Sequence, residues 1–291
     1  LKALAVSDLH GLETRFALIG RLLDGGIDSL LIAGDIAASG NPDVQQADVR
    51  RNFGTLLEGR RGVRIFAIPG NDDWAIVGTA LREFPEITVP TDRAYPLAAG
   101  ISIIGYPFVP ITPFLMKDFE KWDKESEPVI PSDPAEIEAA LVAHRLNIQG
   151  FRSRGADVYD YTFDPGDRED NIGRDLERIA RFSDPRETLY LFHCPPHGIL
   201  DGGISVGPSV HIGSKAVRAF IEERRPRLTV HGHSHEAVDL AGGAFEFSLG
   251  SSKGLAVGPG NDPEVLNYLL VDLENGIYAR RRISLHRESV G

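Results

Sequence analysis

Apolar positions along the chain fall into two rhythms. Leu4-Ala5-Val6, Ser29–Ala33, Val63–Ile68, Leu189–Phe192 and Leu228–Val230 are short runs rich in large or β-branched apolar residues, each ended by Ser, Gly, Pro or His. Such runs predict buried strands. Between the first of them, Leu12, Phe16, Ile19 and Leu23 keep helical spacing, as do Val44, Phe53, Leu56 and Leu57 less regularly, so amphipathic helices are expected there. Strands alternating with helices predict an α/β fold with a largely parallel sheet core, whose polar strand ends converge on one rim. Phe245–Leu249 and Asn267–Leu273 add strands further on, and Gly250–Gly254 reads as a hairpin turn or an amide-rich phosphate contact.

The rhythm breaks from about 106 to 170. Seven prolines and a cluster of aromatics, with Phe114, Phe119 and Trp122 among them, are mixed here with a dense run of charge, and one helix is predicted over Glu136–Asn147. The whole chain reads as a single domain, 1–291, with this segment inserted. The insert is either a cap over the rim or a surface subdomain. Arg152 and Arg154 within it are candidate phosphate contacts.

Where the apolar runs end, the polar residues are unusual. Asp8-Leu9-His10, Gly34-Asp35, Gly70-Asn71-Asp72-Asp73, His193 and Gly232-His233-Ser234-His235 place carboxylate, amide and imidazole donors at successive strand ends, enough for two metal ions. The order D-x-H, GD, GN, lone His, GH-x-H resembles the calcineurin-like metallophosphoesterase superfamily. His193–Gly198 and His211–Arg218 are similar to its Icc-related branch. The resemblance implies a four-layer α/β/β/α sandwich. It implies Asp8, His10 and His235 on a first metal, Asn71, His193 and His233 on a second, and Asp35 bridging. Two divalent or mixed-valence ions, Mn, Fe or Zn, would share a hydroxide that attacks a phosphoester. His231, next to the closing motif, reads as structural, as do His144 and His286.

Two departures from the family pattern narrow the reaction. Asp72 stands where many relatives carry His after GN, so Asp72 and Asn71 are the candidate catalytic residues, with His197 or His211 as replacement acids. Loss of that imidazole hurts poor leaving groups most, which favours a phosphodiester or nucleotide-like substrate. Gly34–Gly40 lacks the Asp and Arg of the protein serine/threonine phosphatases, so small esters are preferred over phosphoproteins. Asp73 reads first as the N-cap of the helix that follows it and second as a residue supporting the ligand cluster from behind.

Composition sets the outer limits. The 291 residues, 42% hydrophobic, suffice for a large core, and 31 basic against 42 acidic residues leave a charge of −11, the wrong sign for nucleic acid or anionic membranes. No run of membrane-spanning length is present, and the single cysteine, Cys194, allows no internal disulfide, so a cytoplasmic location is expected. A metal-stabilised binding scaffold with little catalysis, or a nuclease of the same fold, are the alternatives to a small-ester hydrolase.

Overall fold

The computed structural model describes residues 1–127, 133–203 and 207–285. The chain opens with β1 (Lys2–Val6), α1 (Glu13–Leu23), β2 (Ser29–Ala33), α2 (Pro42–Leu57), β3 (Arg64–Ile68), α3 (Ala75–Leu81), β4 (Ile87–Thr88), β5 (Tyr95–Ala98) and β6 (Ile101–Tyr106). The insert holds β7 (Val109–Pro110), β8 (Glu120–Lys121), α4 (Pro134–Ala143), β9 (Gln149–Arg154) and β10 (Asp157–Thr162). After it come α5 (Ile172–Ile179), β11 (Thr188–Phe192), β12 (Gly202–Gly203), β13 (Gly207–His211), α6 (Lys215–Arg224), β14 (Leu228–His231), α7 (Ala237–Leu240), β15 (Glu246–Leu249), β16 (Ser252–Ala256), β17 (Val265–Asp272) and β18 (Ile277–Ser284).

Two six-stranded sheets form the frame, in the orders β18-β17-β1-β2-β3-β4 and β15-β16-β14-β11-β6-β5. The central strands β1 to β4 and β6, β11, β14 and β16 pair in parallel; β17, β18, β15 and β5 add antiparallel edges. Both sheets are therefore mixed, with the parallel part in the middle.

The period-two alternation of a strand decides the layering. On β1, Leu4 and Val6 pack with Phe16, Ile19 and Phe53 of α1 and α2, while Ala3 and Ala5 pack with Leu189, Leu191, Leu228 and Val230 of the other sheet. On β11, Tyr190 and Phe192 turn outward onto Leu176, Val217 and Phe220 of α5 and α6. Three apolar cores between four layers result, an α/β/β/α sandwich. Strands buried on both faces have few polar positions, which is why they read as nearly unbroken apolar runs.

The insert has its own small core of Ile111, Trp122 and Phe163. Its helix stops at Ala143, short of the expected Asn147. Arg145 adopts φ 53°, and the amides of Arg145 and Leu146 close back on the carbonyls of Val142 and Leu141, a Schellman ending that turns the chain without glycine.

Candidate metal centre

Each strand-end motif is placed by local backbone geometry. After β1 the chain stays paired with the turn after β2, since the amides of Asp8, His10 and Gly11 donate to the carbonyls of Gly34, Asp35 and Ile36. Asp8, His10, Asp35 and His233 all have positive φ, from 49° to 65°. Such conformations cost non-glycine residues of order 1–3 kcal/mol each and persist where surrounding structure enforces them. Gly34, at φ 95°, must be glycine for a second reason: a Cβ there would sit 2.2 Å from His193 Nδ1. A Cβ on Gly70 would likewise lie 2.2 Å from Asp35 Oδ1. His233 and His235 lie beyond the last residue of β14 and reach the centre through the turn at His233, a different route from strand alternation.

The structure brings all seven expected residues together. Asp8, His10 and His235 form one group of possible ligand atoms and Asp35, His193 and His233 a second, the atoms within each group lying within 4.8 Å of one another. Asn71 Oδ1 is 3.0 Å from His193 Nε2. His10, Asp35 and Asp72 form a third group, so Asp72 sits among the candidate ligand atoms and not only beside them.

Hydrogen bonds on the far side of the rings fix which atoms face inward. His193 Nδ1 is 2.7 Å from the Ala33 carbonyl and His235 Nδ1 is 2.8 Å from Asn261 Oδ1. Both partners are acceptors, so both Nδ1 atoms carry the proton and a neutral ring presents a bare Nε2. Those Nε2 atoms meet further acceptors: Asp35 Oδ2 at 3.4 Å and Asn71 Oδ1 for His193, Asp8 Oδ1 at 3.3 Å and His10 Nε2 at 3.3 Å for His235. Asp8 Oδ1 is buried and has no hydrogen-bond partner. Lone pair facing lone pair is repulsive unless a positive charge lies between, and this donor set of imidazole, carboxylate and amide suits a divalent transition metal.

Ionisation follows the same logic. Burial works against charging Asp8, but His235, His193 and His10 hold its carboxyl below the ordinary range. Burial also opposes the His193 cation, yet Asp35 outweighs it and pushes the imidazole up to about 10; Asp8 does the same for His235, to about 9. Desolvation and the neighbouring His193 lower half-buried His233 to about 4, so it stays neutral. Partial burial and the carboxylates of Asp35 and Asp73 push Asp72 up to about 7. A bound cation would draw each of these groups towards its deprotonated form.

Four further residues support the cluster from behind. Asp73, expected as a helix cap, is buried away from α3: its carboxylate accepts the amides of Ile36, Ala37 and Gly70 at 2.9–3.1 Å, tying the Asp35 turn to the Asn71 turn. The first amide of α3 is instead taken by Asp118 of the insert, at 2.7 Å. Buried Gln45 donates to the Asp72 carbonyl at 2.7 Å and accepts from the Trp74 amide. Buried Arg15 bonds the carbonyls of Asp8 and Asp262. Only its charge in an otherwise apolar helix face hinted at this.

Several expected residues lie elsewhere. His231 is buried among Phe192 and Phe247, with Nδ1 on the Cys194 carbonyl and Nε2 on Thr229. Cys194 is buried beside it, and burial pushes its thiol well up. Arg152 stacks 3.7 Å over Tyr161 and donates to the Lys117 carbonyl, which removes it as a phosphate contact. Gly250–Gly254 is the β15–β16 hairpin, with Gly254 against Phe247. A cavity of about 360 Å³ opens in front of the cluster, lined by Asp72, His233 and His235 on one side and by insert residues including Phe114 and His144 on another. His211 lines it, held by Asp201 at 2.8 Å; His197 does not, although its ring lies 5.1 Å from that of His211. His286 lies outside the described residues.

Comparison with known proteins agrees with the fold. The family model for calcineurin-like phosphoesterases matches residues 1–237, and the chain belongs to that family of metal-dependent phosphoric ester hydrolases. Among solved structures, one with 17% identity superposes at a TM-score of 0.59 over 97% of this chain and 99% of its own. A dimetal phosphatase from Danio rerio, 11% identical, superposes at 0.50 over 94% of this chain and 92% of that one. At these identities the likeness is one of fold. No curated protein matches the sequence. Among the described residues no helix is long and apolar enough to cross a membrane.

Proposed function

We propose that this protein is a binuclear-metal phosphoesterase acting on a phosphodiester or nucleotide-like ester, with water as the final acceptor. The observation that carries the reading is the pair of adjacent groups in which imidazole Nε2 atoms face carboxylate and amide oxygens, with Asp35 close to both. Asp8, His10 and His235 would hold one ion, Asn71, His193 and His233 the other, and Asp35 would bridge, with Mn, Fe or Zn the metals the donors suit. Two such ions would supply positive charge to the phosphoryl oxygens and a water acidic enough to attack at neutral pH.

The chain's own residues do the rest. Asn71 Nδ2 donates to Asp72 Oδ1 at 2.9 Å, and the Asp72 amide donates to Asp35 Oδ1 at 2.8 Å, so the Asn71–Asp72 pair is oriented as a unit against the bridging carboxylate. Asp72, on the cavity wall, stands where it can hold a water or accept a proton. His211, held by Asp201 and outside the ligand set, is an imidazole on the same cavity able to protonate a leaving oxygen, and it replaces His197 in that role. The absence of an imidazole after Asn71 favours esters with good leaving groups, hence diesters. The charge of −11 favours small esters over nucleic acid. Membership of the Icc-related branch belongs to the same proposal and rests on the segments after His193 and around His211.

The test is turnover of p-nitrophenyl mono- and diesters by protein stripped of metal and reloaded with Mn²⁺, with Asn71→Ala as control and metal content measured in parallel. Diester-selective turnover lost in the variant is expected. Uptake of two ions without turnover of either ester would turn the reading towards a metal-stabilised scaffold.

A further inference from the structure

The cavity in front of the cluster has two unlike sides. One is the candidate ligand set. The other is mainly apolar, with Thr112, His144, Arg145 and His211 at its polar margin, and its apolar surface comes from Pro110, Ile111, Pro113 and Phe114 of the insert, with Val210 and Ile212 after Asp201. A phosphoryl group and a water are polar, so hydrolysis alone has no use for such a wall. A volume of about 360 Å³ is also within the range that takes a whole organic ligand and more than phosphate needs.

The wall is held in place from behind. Thr112, in the middle of the irregular 110–114 turn, donates its amide (3.0 Å) and its hydroxyl to Glu120; Lys117 Nζ donates to Glu120 at 2.7 Å and to the Thr112 carbonyl at 3.1 Å. Lys117 and Glu120 are both fully buried. A buried ion pair is a poor way to gain stability and a good way to fix one backbone arrangement. Here its polar atoms are spent on the turn that presents Ile111, Pro113 and Phe114. The Schellman ending of α4 brings Leu146 to the same cavity. Phe114, the largest apolar side chain of the wall, is 54% exposed, so a preformed apolar surface stands open beside the reactive groups.

We infer that this wall is the specificity site of the hydrolytic centre, that it takes the aromatic arm of a phosphodiester which remains on phosphorus while the other arm leaves, and that Phe114 is the residue the ring packs against. The inference rests on the phosphoesterase reading above. Aromatic packing of this kind contributes roughly tenfold in affinity over an arm too small to reach the wall.

Two diesters with one leaving group isolate the retained arm: bis(p-nitrophenyl) phosphate and methyl p-nitrophenyl phosphate, both releasing p-nitrophenolate. With Mn²⁺-reloaded protein the aryl diester is expected to show a KM about tenfold lower. Phe114→Ala brings the KM ratio close to one, while Leu115→Ala, an equally exposed neighbour (55%) outside the cavity lining, keeps it. Calorimetric binding of diphenyl against dimethyl phosphate gives the same comparison without turnover. Equal KM and equal binding for the two arms in the parent protein would overturn the inference, as would a preference that Phe114→Ala leaves intact or that Leu115→Ala removes equally well. Aryl preference in calorimetry with no hydrolysis of either diester would support the wall and sink the hydrolytic reading; brisk hydrolysis of both with no arm preference would do the reverse.

Discussion

The strand-end centre and the insert that faces it are built by opposite means. In the centre the backbone places the side chains. Four candidate ligands sit at positive φ, and Gly34 and Gly70 leave room that no other residue could leave. In the insert the side chains place the backbone: Glu120 holds the 110–114 turn, Asp118 accepts the amides of Ala75 and Ser153, and Asp123 accepts those of Lys215 and Ala216 at the start of α6. Three carboxylates thus pin a segment with little regular structure to itself and to two core helices. Chemistry is tied to the frame of the fold, whereas the surface beside it hangs on a few replaceable side chains. This predicts that changes in the centre abolish function without unfolding, and that changes in the insert loosen structure first.

The largest effect is expected from Asp35→Asn, because Asp35 stands between both ligand groups and orients the Asp72 amide. Metal analysis should show both ions lost, and diester turnover should fall on the order of a thousandfold, equivalent to the several kcal/mol that metal charge supplies. His231→Ala should retain both ions. A metal-replete Asp35→Asn would break the comparison at its first term. The next largest effect lies in the insert. Lys117→Met strands Glu120, which burial already raises to about 7 against the pull of Lys117, and should cost about 3 kcal/mol in urea unfolding. The double variant Lys117→Met with Glu120→Leu should recover part of that loss. A cost below about 1 kcal/mol, within the usual range for exposed pairs, would show that the insert does not depend on its buried charges.

The same contrast explains what was legible in the sequence. Strand ends, the residues that cluster at them and layer order could be read because buried strands leave long apolar runs, and because residues such as Asp8, His193 and His235 interrupt those runs at positions where packing alone would not put them. The supports could not. Asp73, Gln45, Asp118 and Arg15 act across 3 to 247 positions of chain through backbone amides and carbonyls, and nothing about an isolated Asp or Gln tells which distant amide it meets. For Asp73 the second of the two readings holds and the first fails: an acidic residue just before a helix has the pattern of a cap, but its carboxylate turns back to the Asp35 loop and leaves the helix end to Asp118. The helix over Glu136–Asn147 overran for a related reason, since an arginine at positive φ is no conventional stop.

A smaller effect would sharpen the boundary between the two regions. Asn261 belongs to the loop after β16, not to any motif, yet it takes the His235 Nδ1 proton at 2.8 Å and is itself held by Glu236 at 2.7 Å. Asn261→Leu should weaken metal affinity by roughly 10- to 100-fold, measured against a competing chelator, with thermal stability of the metal-free protein little changed. Asn261→Asp, which still offers an acceptor, should restore most of the affinity. Equal weakening in both variants would mean that Asn261 acts by packing and not by fixing the tautomer of His235.

The smallest effect tests the joint itself. Asp118 Oδ2 accepts the Ala75 amide at 2.7 Å while Oδ1 accepts the Ser153 amide at 2.8 Å, so one carboxylate caps the helix that follows Asp72 and also holds strand β9 of the insert. Asp118→Ala should cost about 1 kcal/mol, the usual worth of a helix cap, too little to unfold the protein. Hydrogen exchange resolves it: the amides of Ala75 and Ser153 should both lose protection, each by roughly fivefold for 1 kcal/mol of local opening. Because the two sites lie on opposite sides of the joint, faster exchange at Ser153 with Ala75 unchanged would mean that α3 is capped independently and that the insert can move without disturbing the Asn71–Asp72 turn. Faster exchange at both would mean that displacing the wall also displaces the residues that orient the substrate.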